Sequence, residues 1–93
     1  MIQIERKEYE HKGSFEAKWG GEKAGLMTYS MANDKMIIDH TEVNPGFNGK
    51  GIGKELVFAA VEFARNENLK IIPLCPFANA TFKKYPAIQD VLV

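Results

Sequence analysis

Three groups of residues in this chain have types and spacings suited to chemistry. The first is Asn44 to Lys54, Asn-Pro-Gly-Phe-Asn-Gly-Lys-Gly-Ile-Gly-Lys, which holds four of the eight glycines between Gly46 and Gly53. An apolar run (Met36, Ile37, Ile38, Val43) precedes it and an amphipathic segment follows, the order strand, glycine loop, helix. Amides in such a loop and in the first helical turn have no partner inside the helix, so they face outward as a site for an anion. Glycine permits left-handed backbone angles and lets a phosphate approach without a Cβ in the way. The stretch predicts a phosphate-bearing ligand at the start of a helix from about Gly51. The second group is His40 and Glu42, two apart on the preceding strand and so on one face of it. The third is Cys75, the single cysteine.

Spacing narrows the phosphate ligand. A P-loop places Gly-Lys-Ser/Thr after Gly and four residues. Here Gly53-Lys54 is followed by Glu55, and the position five before Gly53 is Asn48. A dinucleotide loop needs Gly-x-Gly-x-x-Gly. Counting from Gly49 puts Lys54 in the last place, and counting from Gly51 puts Leu56 there. Both readings fail.

Asn48-Gly49-Lys50-Gly51-Ile52-Gly53 resembles the acetyl-CoA loop of the GCN5-related N-acetyltransferases, Gln/Arg-x-x-Gly-x-Gly/Ala, with Asn in the first position. His40-Thr41-Glu42-Val43 before the loop and Pro73-Leu74-Cys75-Pro76-Phe77 after the helix resemble the small, single-domain branch of that superfamily. The resemblance implies acetyl-CoA or CoA as cofactor, its diphosphate on the amides of Asn48 to Lys54 and charge added by Lys50 and Lys54. It extends the cofactor-binding set to Val43, whose backbone N–H would polarise the thioester carbonyl, and to Phe47, Cys75 and Asn79. A glycine-rich turn that simply lets the helix pack close to the sheet is the other reading of the loop.

The catalytic candidates are Cys75, Glu42 and His40. By the resemblance, Cys75 approaches the acyl group, as an acyl-accepting nucleophile or as a hydrogen-bonding neighbour of the cofactor sulfur. A buried small hydrophobe is the third possibility, and a nucleophile needs a lowered pKa or an adjacent base. Acyl transfer to an amine needs a base that takes the ammonium proton directly or through one water. Glu42 and His40 are equal candidates, against a solvated strand carboxylate and a hydrogen-bonded structural imidazole. Family members carry an Asn on the pantetheine and a Tyr that protonates the leaving thiolate. Asn79 and Tyr85 stand one short of that interval, so Tyr85 is read as packing the short helix. Two histidines and one cysteine give no metal-ligand spacing.

The elements that must position these groups follow from periodicity and turns. Ile2 and Ile4 alternate with polar residues until the polar stretch Glu8–Gly13, and Ser14 to Trp19 alternates again with Phe15, Ala17 and Trp19 on one face. Gly20-Gly21 is a hairpin signal. Lys23 to Ala32 is a third strand and, after Asn33-Asp34-Lys35, Met36 to Val43 a fourth: an antiparallel meander. The helix from about Gly51 to Asn68 has Ile52, Leu56, Ala59, Ala60, Phe63 and Ala64 on one stripe. Leu69 to Cys75 is a fifth strand, parallel to the fourth through a right-handed crossover. Pro73 places it at an edge or where pairing is interrupted; the resemblance implies a splay there, where the pantetheine arm inserts. Ala78 to Tyr85 is a short helix, and Ile88 to Val93 is a strand or an extended arm. The fold class expected is α+β, a truncated acetyltransferase-like domain over residues 1–93.

Twelve Lys plus Arg balance twelve Asp plus Glu, so no net field draws nucleic acid or an anionic membrane. One cysteine fits a reducing compartment, charges fill the N-terminus where a signal peptide needs an apolar run, and no stretch approaches the ~20 apolar residues of a membrane span. A cytoplasmic monomer is expected, since Pro73 discourages pairing at the edge strand. The function expected is acetyl-CoA-dependent N-acetylation of a small-molecule or peptide amine. The alternatives are a CoA or acyl-CoA-binding module with little turnover and a domain that uses the fold to bind a protein.

Overall fold

Tight turns lay down the first four strands of the computed structural model, which describes residues 2–93. Gly20 and Gly21 take φ of 58° and 87°, the paired positive angles that match the twist of a two-residue hairpin. Asn33 and Glu10 reach φ of 59° and 57°. The resulting strands are β1 (Ile2–Tyr9), β2 (Lys12–Trp19), β3 (Glu22–Ala32) and β4 (Lys35–Val43), each antiparallel to the next. β1 and β2 run further towards their shared turn than alternation suggests. Lys7↔Ser14 through Tyr9↔Lys12 stay paired although that end of β1 is exposed on both faces. Periodicity reports burial, and backbone pairing continues beyond it.

α1 (Ile52–Glu67) then crosses over, and β5 (Lys70–Pro73) joins β4 in parallel, completing the order β1-β2-β3-β4-β5. β5 is shorter than the expected Leu69–Cys75. It pairs only with Lys35–Ile38, and Pro73, which has no N–H to donate, is its last residue. One more bond, from Cys75 N–H to the Ile38 carbonyl (3.1 Å), closes the contact. From Asp39 to Val43, β4 continues without β5, and the two strands part.

The core lies between one sheet face and the helices. Phe15, Ala17, Met27, Tyr29, Met36 and Ile38 face Ile52, Leu56, Ala60 and Ala64 of α1. Val57 and Val61 are also fully buried, whereas Ala59 and Phe63 are only partly so. The stripe is rotated from the expected one because α2 (Pro76–Lys84) and a 3-10 helix (Pro86–Val91) cover a second flank of α1. Burying side chains of this size contributes about 1.5–3 kcal/mol each, so α1 does not depend on a side-chain N-cap, worth about 1 kcal/mol. It has none: Gly51 is the N-cap residue and offers no side chain.

The short helix starts at Pro76, two residues before the expected Ala78, with proline in the first turn where its missing N–H costs nothing. The segment expected as strand or arm over Ile88–Val93 is mostly the 3-10 helix, which buries Ile88 and Val91. Only Leu92 makes a β-bridge, to Ile71, and Val93 N–H adds a bond to the Ile71 carbonyl. Arg65 holds this tail through Asp90 (2.7 and 3.1 Å) and the Ala87 carbonyl (2.9 Å). No helix among the described residues is long and apolar enough to cross a membrane.

Candidate functional site

The glycine loop leaves β4 under restraint and arrives at α1 without a cap. Asn44 fixes its start, donating from its backbone to the Ala24 carbonyl (2.8 Å) and from Nδ2 to the Lys23 carbonyl (2.9 Å). Gly49 and Gly51 then turn the chain at φ of 81° and 75°. The first helical bond is Glu55 N–H to the Gly51 carbonyl (3.0 Å). Among the described residues, no protein group takes up the amides of Asn48 to Lys54. Gly53 serves another purpose: its backbone angle is ordinary, and an added Cβ would collide with the Phe77 ring at the start of α2. Close packing is thus one role of the run, at Gly53, and it is against α2 rather than the sheet.

These amides border a concavity of about 460 Å³, within the range of small-molecule sites. Of the residues expected to hold a cofactor, Val43, Phe47, Asn48, Gly49, Gly51, Ile52, Gly53 and Lys54 line it. The opposite wall is α2, through Phe77, Ala80, Thr81, Lys84 and Tyr85, none of which the sequence reading assigned to the cofactor. They recur at intervals of three and four, one face of a helix, and that periodicity was the signal available. Lys50, Cys75 and Asn79 are not on the walls. Lys50 Nζ lies 5.1 Å from the centre of the Trp19 ring. Asn79 is exposed, its N–H donating to the Cys75 carbonyl within α2. Tyr85 packs edge-on to Phe58 with centroids 5.4 Å apart, the packing role expected of it. A larger hollow of about 550 Å³ is walled by a single hairpin, Lys7 to Ser14, far in sequence from the glycine loop and from Cys75.

Cys75 stands where β5 ends and α2 begins, as the N-cap residue of α2, and is 4% exposed. Burial pushes its thiol up. The Thr41 hydroxyl and the amides of Ala78, Phe77 and Thr41 act against burial and together outweigh it, so the thiol titrates below its ordinary value. Thr41 Oγ1 is buried and has no partner of good hydrogen-bond geometry among the described residues, so its effect on the thiol is that of a nearby donor and not of a formed bond. The Thr41 N–H thus faces the gap between β4 and β5. Asn44 N–H goes to β3, so by strand alternation the Val43 N–H faces the gap as well.

His40 and Glu42 do share a face, with Nε2 and Oε2 3.7 Å apart. It is the sheet face away from the helices. Thr28 pairs with His40 but Tyr29 with Ile38, so Asp39 is an extra residue in β4. The bulge sends Asp39 and His40 outward together and returns Thr41 to the side of buried Met27. Neither His40 nor Glu42 lines the concavity; both stand beside the gap on its open side. Among the described residues, no cluster of His, Cys, Asp and Glu is placed to hold a metal ion.

The mixed sheet, with its fourth and fifth strands parting beside an uncapped, glycine-led helix, has the fold of the N-acetyltransferases. The chain belongs to the GCN5-related N-acetyltransferase family, whose sequence profile matches residues 14–91. A GCN5-like protein from Staphylococcus aureus, solved in solution, superposes with a TM-score of 0.71 at 38% identity, over 96% of this chain and 87% of that one. Streptothricin acetyltransferase of Streptomyces lavendulae is 45% identical over 47 residues, 48% of this chain and 25% of that protein. Protein NATD1 of Xenopus tropicalis is 34% identical over 65 residues, 69% of this chain and 60% of that protein. The chain thus spans only part of these two curated relatives. AAC(6')-Iy, solved with the bisubstrate analogue CoA-S-monomethyl-acetylneamine, shares the fold with a TM-score of 0.60 at 21% identity over 86% of this chain and 62% of that one.

Proposed function

We propose that this protein transfers the acetyl group of acetyl-CoA to an amine of a small molecule or peptide. One observation carries the reading: free amides at the tip of α1 open onto a concavity beside the gap between β4 and β5. The donor supplies an acyl group activated as a thioester. The amides of Asn48 to Lys54 would bind its diphosphate, with Lys54 adding charge at the wall and Lys50 at the rim. Phe47, Val43 and Ile52 provide apolar surface for the arm leading into the gap. There the Val43 N–H would donate to the thioester carbonyl, strengthening as negative charge develops on oxygen.

The amine approaches from the open sheet face. Glu42 or His40 takes the ammonium proton, the nitrogen attacks the carbonyl carbon, the C–N bond forms, and the C–S bond breaks to release thiolate, which takes the second proton that the nitrogen sheds as the amide forms. A second reading is favoured by the place of Cys75 at the end of β5 beside the gap, where the nearby Thr41 hydroxyl and the amides of Ala78, Phe77 and Thr41 draw its thiol below the ordinary value. In it Sγ attacks the thioester first and CoA leaves as thiolate; the amine then attacks the acyl-cysteine, and the C–Sγ bond breaks to return Cys75.

Calorimetric titration with CoA and thiol release from acetyl-CoA across a panel of amines test the proposal. Absence of binding would overturn it. Binding without thiol release would leave a CoA-binding module. Activity that survives in Cys75→Ala and is lost in Glu42→Gln supports direct transfer, and the reverse pattern supports the relay through Cys75.

A further inference from the structure

We infer that Lys84 and Lys54 form a second anion subsite in the concavity, one that takes a phosphomonoester, so that the protein selects CoA over the form lacking the 3′-phosphate. The inference rests on the CoA reading above and adds to it. Lys54 and Lys84 are the charged residues on the walls of the concavity, and no carboxylate lines it. In a chain with twelve basic and twelve acidic residues, a wall of two cations and no anion is segregated charge. Among the described residues, neither lysine forms an ion pair.

The two ammonium groups converge on one anchor. Lys54 Nζ lies 5.2 Å and Lys84 Nζ 5.5 Å from the centre of the Tyr85 ring. The ring is itself held edge-on by Phe58. An aromatic ring attracts a cation without using up its N–H donors, so both lysines are anchored at Tyr85 on the wall of the concavity with donors free. One comes from the first turn of α1 and the other from the last turn of α2.

Position then decides which phosphate they meet. α2 has nine residues, so Lys84 lies roughly 13 Å along its axis from Cys75 and the gap. That places the lysine pair at the nucleotide end of the concavity, away from the acyl end. The loop amides serve a diphosphate but do not sense what else the nucleotide carries. In CoA one further dianion hangs from the ribose, a ring away from that diphosphate, and two compact ammonium charges suit it. Lys84 also sits where a cation complements the α2 dipole. Lys83 does so equally and is not on the wall, which makes it the control.

Calorimetric titration of the whole chain with CoA and with dephospho-CoA tests the subsite in the wild type and in Lys84→Ala, Lys84→Arg and Lys83→Ala. The wild type is expected to bind CoA about tenfold more tightly than dephospho-CoA. Lys84→Ala should remove most of that preference while leaving dephospho-CoA binding unchanged. Lys84→Arg should restore it, and Lys83→Ala should leave both affinities as they are. Equal wild-type affinities, or a loss in Lys84→Ala that is the same for both ligands, would overturn the inference and leave the CoA reading standing. Failure of the wild type to bind either ligand would overturn both.

Discussion

Replacing Thr41 by Val removes one hydroxyl from beside the Cys75 thiol and keeps the side-chain shape. That hydroxyl leads the groups that draw the thiol below its ordinary value against the opposing effect of burial. A hydrogen bond to a charged acceptor contributes about 1.5–3 kcal/mol, and about 1.4 kcal/mol corresponds to one pKa unit. The amides of Ala78, Phe77 and Thr41 remain and absorb part of the loss, so Thr41→Val is expected to raise the Cys75 pKa towards its ordinary value without reaching it. Stability follows with a definite sign. The folded pKa lies below that of the unfolded chain, so the unfolded state holds more protons between the two values and stability rises with pH across that window. The gain is complete above the unfolded pKa and is lost as pH falls through the folded one. Thr41→Val narrows the window, and at neutral pH its melting temperature should hardly change, since the hydroxyl has no well-formed partner there. Ultraviolet thiolate absorbance against pH reads the shift directly, because the chain has a single cysteine. A pKa that stays put or falls in Thr41→Val would refute the reasoning.

Gly51→Ala meets open space but a φ of +75°, so its cost is conformational, about 1–2 kcal/mol, and a melting temperature equal to wild type would contradict it. Gly25→Ala places a Cβ 2.8 Å from Ile52 Cγ2 and 2.9 Å from the Glu42 carbonyl. Backbone cannot yield as a side-chain end can, so about 1–3 kcal/mol of destabilisation is expected, read from the urea midpoint; no shift would contradict the packing. Arg65→Ala should speed hydrogen exchange at the Ile88 and Leu92 amides and leave global melting nearly unchanged, because it frees only the tail clamp. Acid should do the same to the wild type. The Arg65 guanidinium holds the Asp90 carboxyl below its usual range, so the clamp persists above that range and loosens as pH falls through the lowered pKa.

The parts of this architecture that local chemistry dictates were legible in the sequence. Gly20-Gly21, Asn33 and the glycine loop each announce a backbone angle, and the long apolar period of α1 announces a helix within a residue of its observed ends. What tertiary docking decides was not. Val57 and Val61 lie off the stripe expected for α1 and are fully buried, on a helix that α2 and the 3-10 helix also pack against. The tail follows the same logic, since Ile88 and Val91 read equally well as strand and become a 3-10 turn under the restraint of Arg65. In the site, residue types placed His40 and Glu42 together but gave no hint of the extra Asp39. Simple alternation from buried Ile38 would have turned both into the core. Thr41 escaped notice for the same reason, although it is the side chain that faces Cys75.

The parting of β4 from β5 bears on the order of events. On the proposed reading, the nucleotide thiol carrier and its amine partner reach the same carbon through separate doorways on opposite sides of one sheet, and neither obstructs the other's way in or out. Either can then arrive first. Initial-rate plots at varied concentrations of both reactants should give intersecting lines if they meet there together, and parallel lines only if the protein itself carries the group between them.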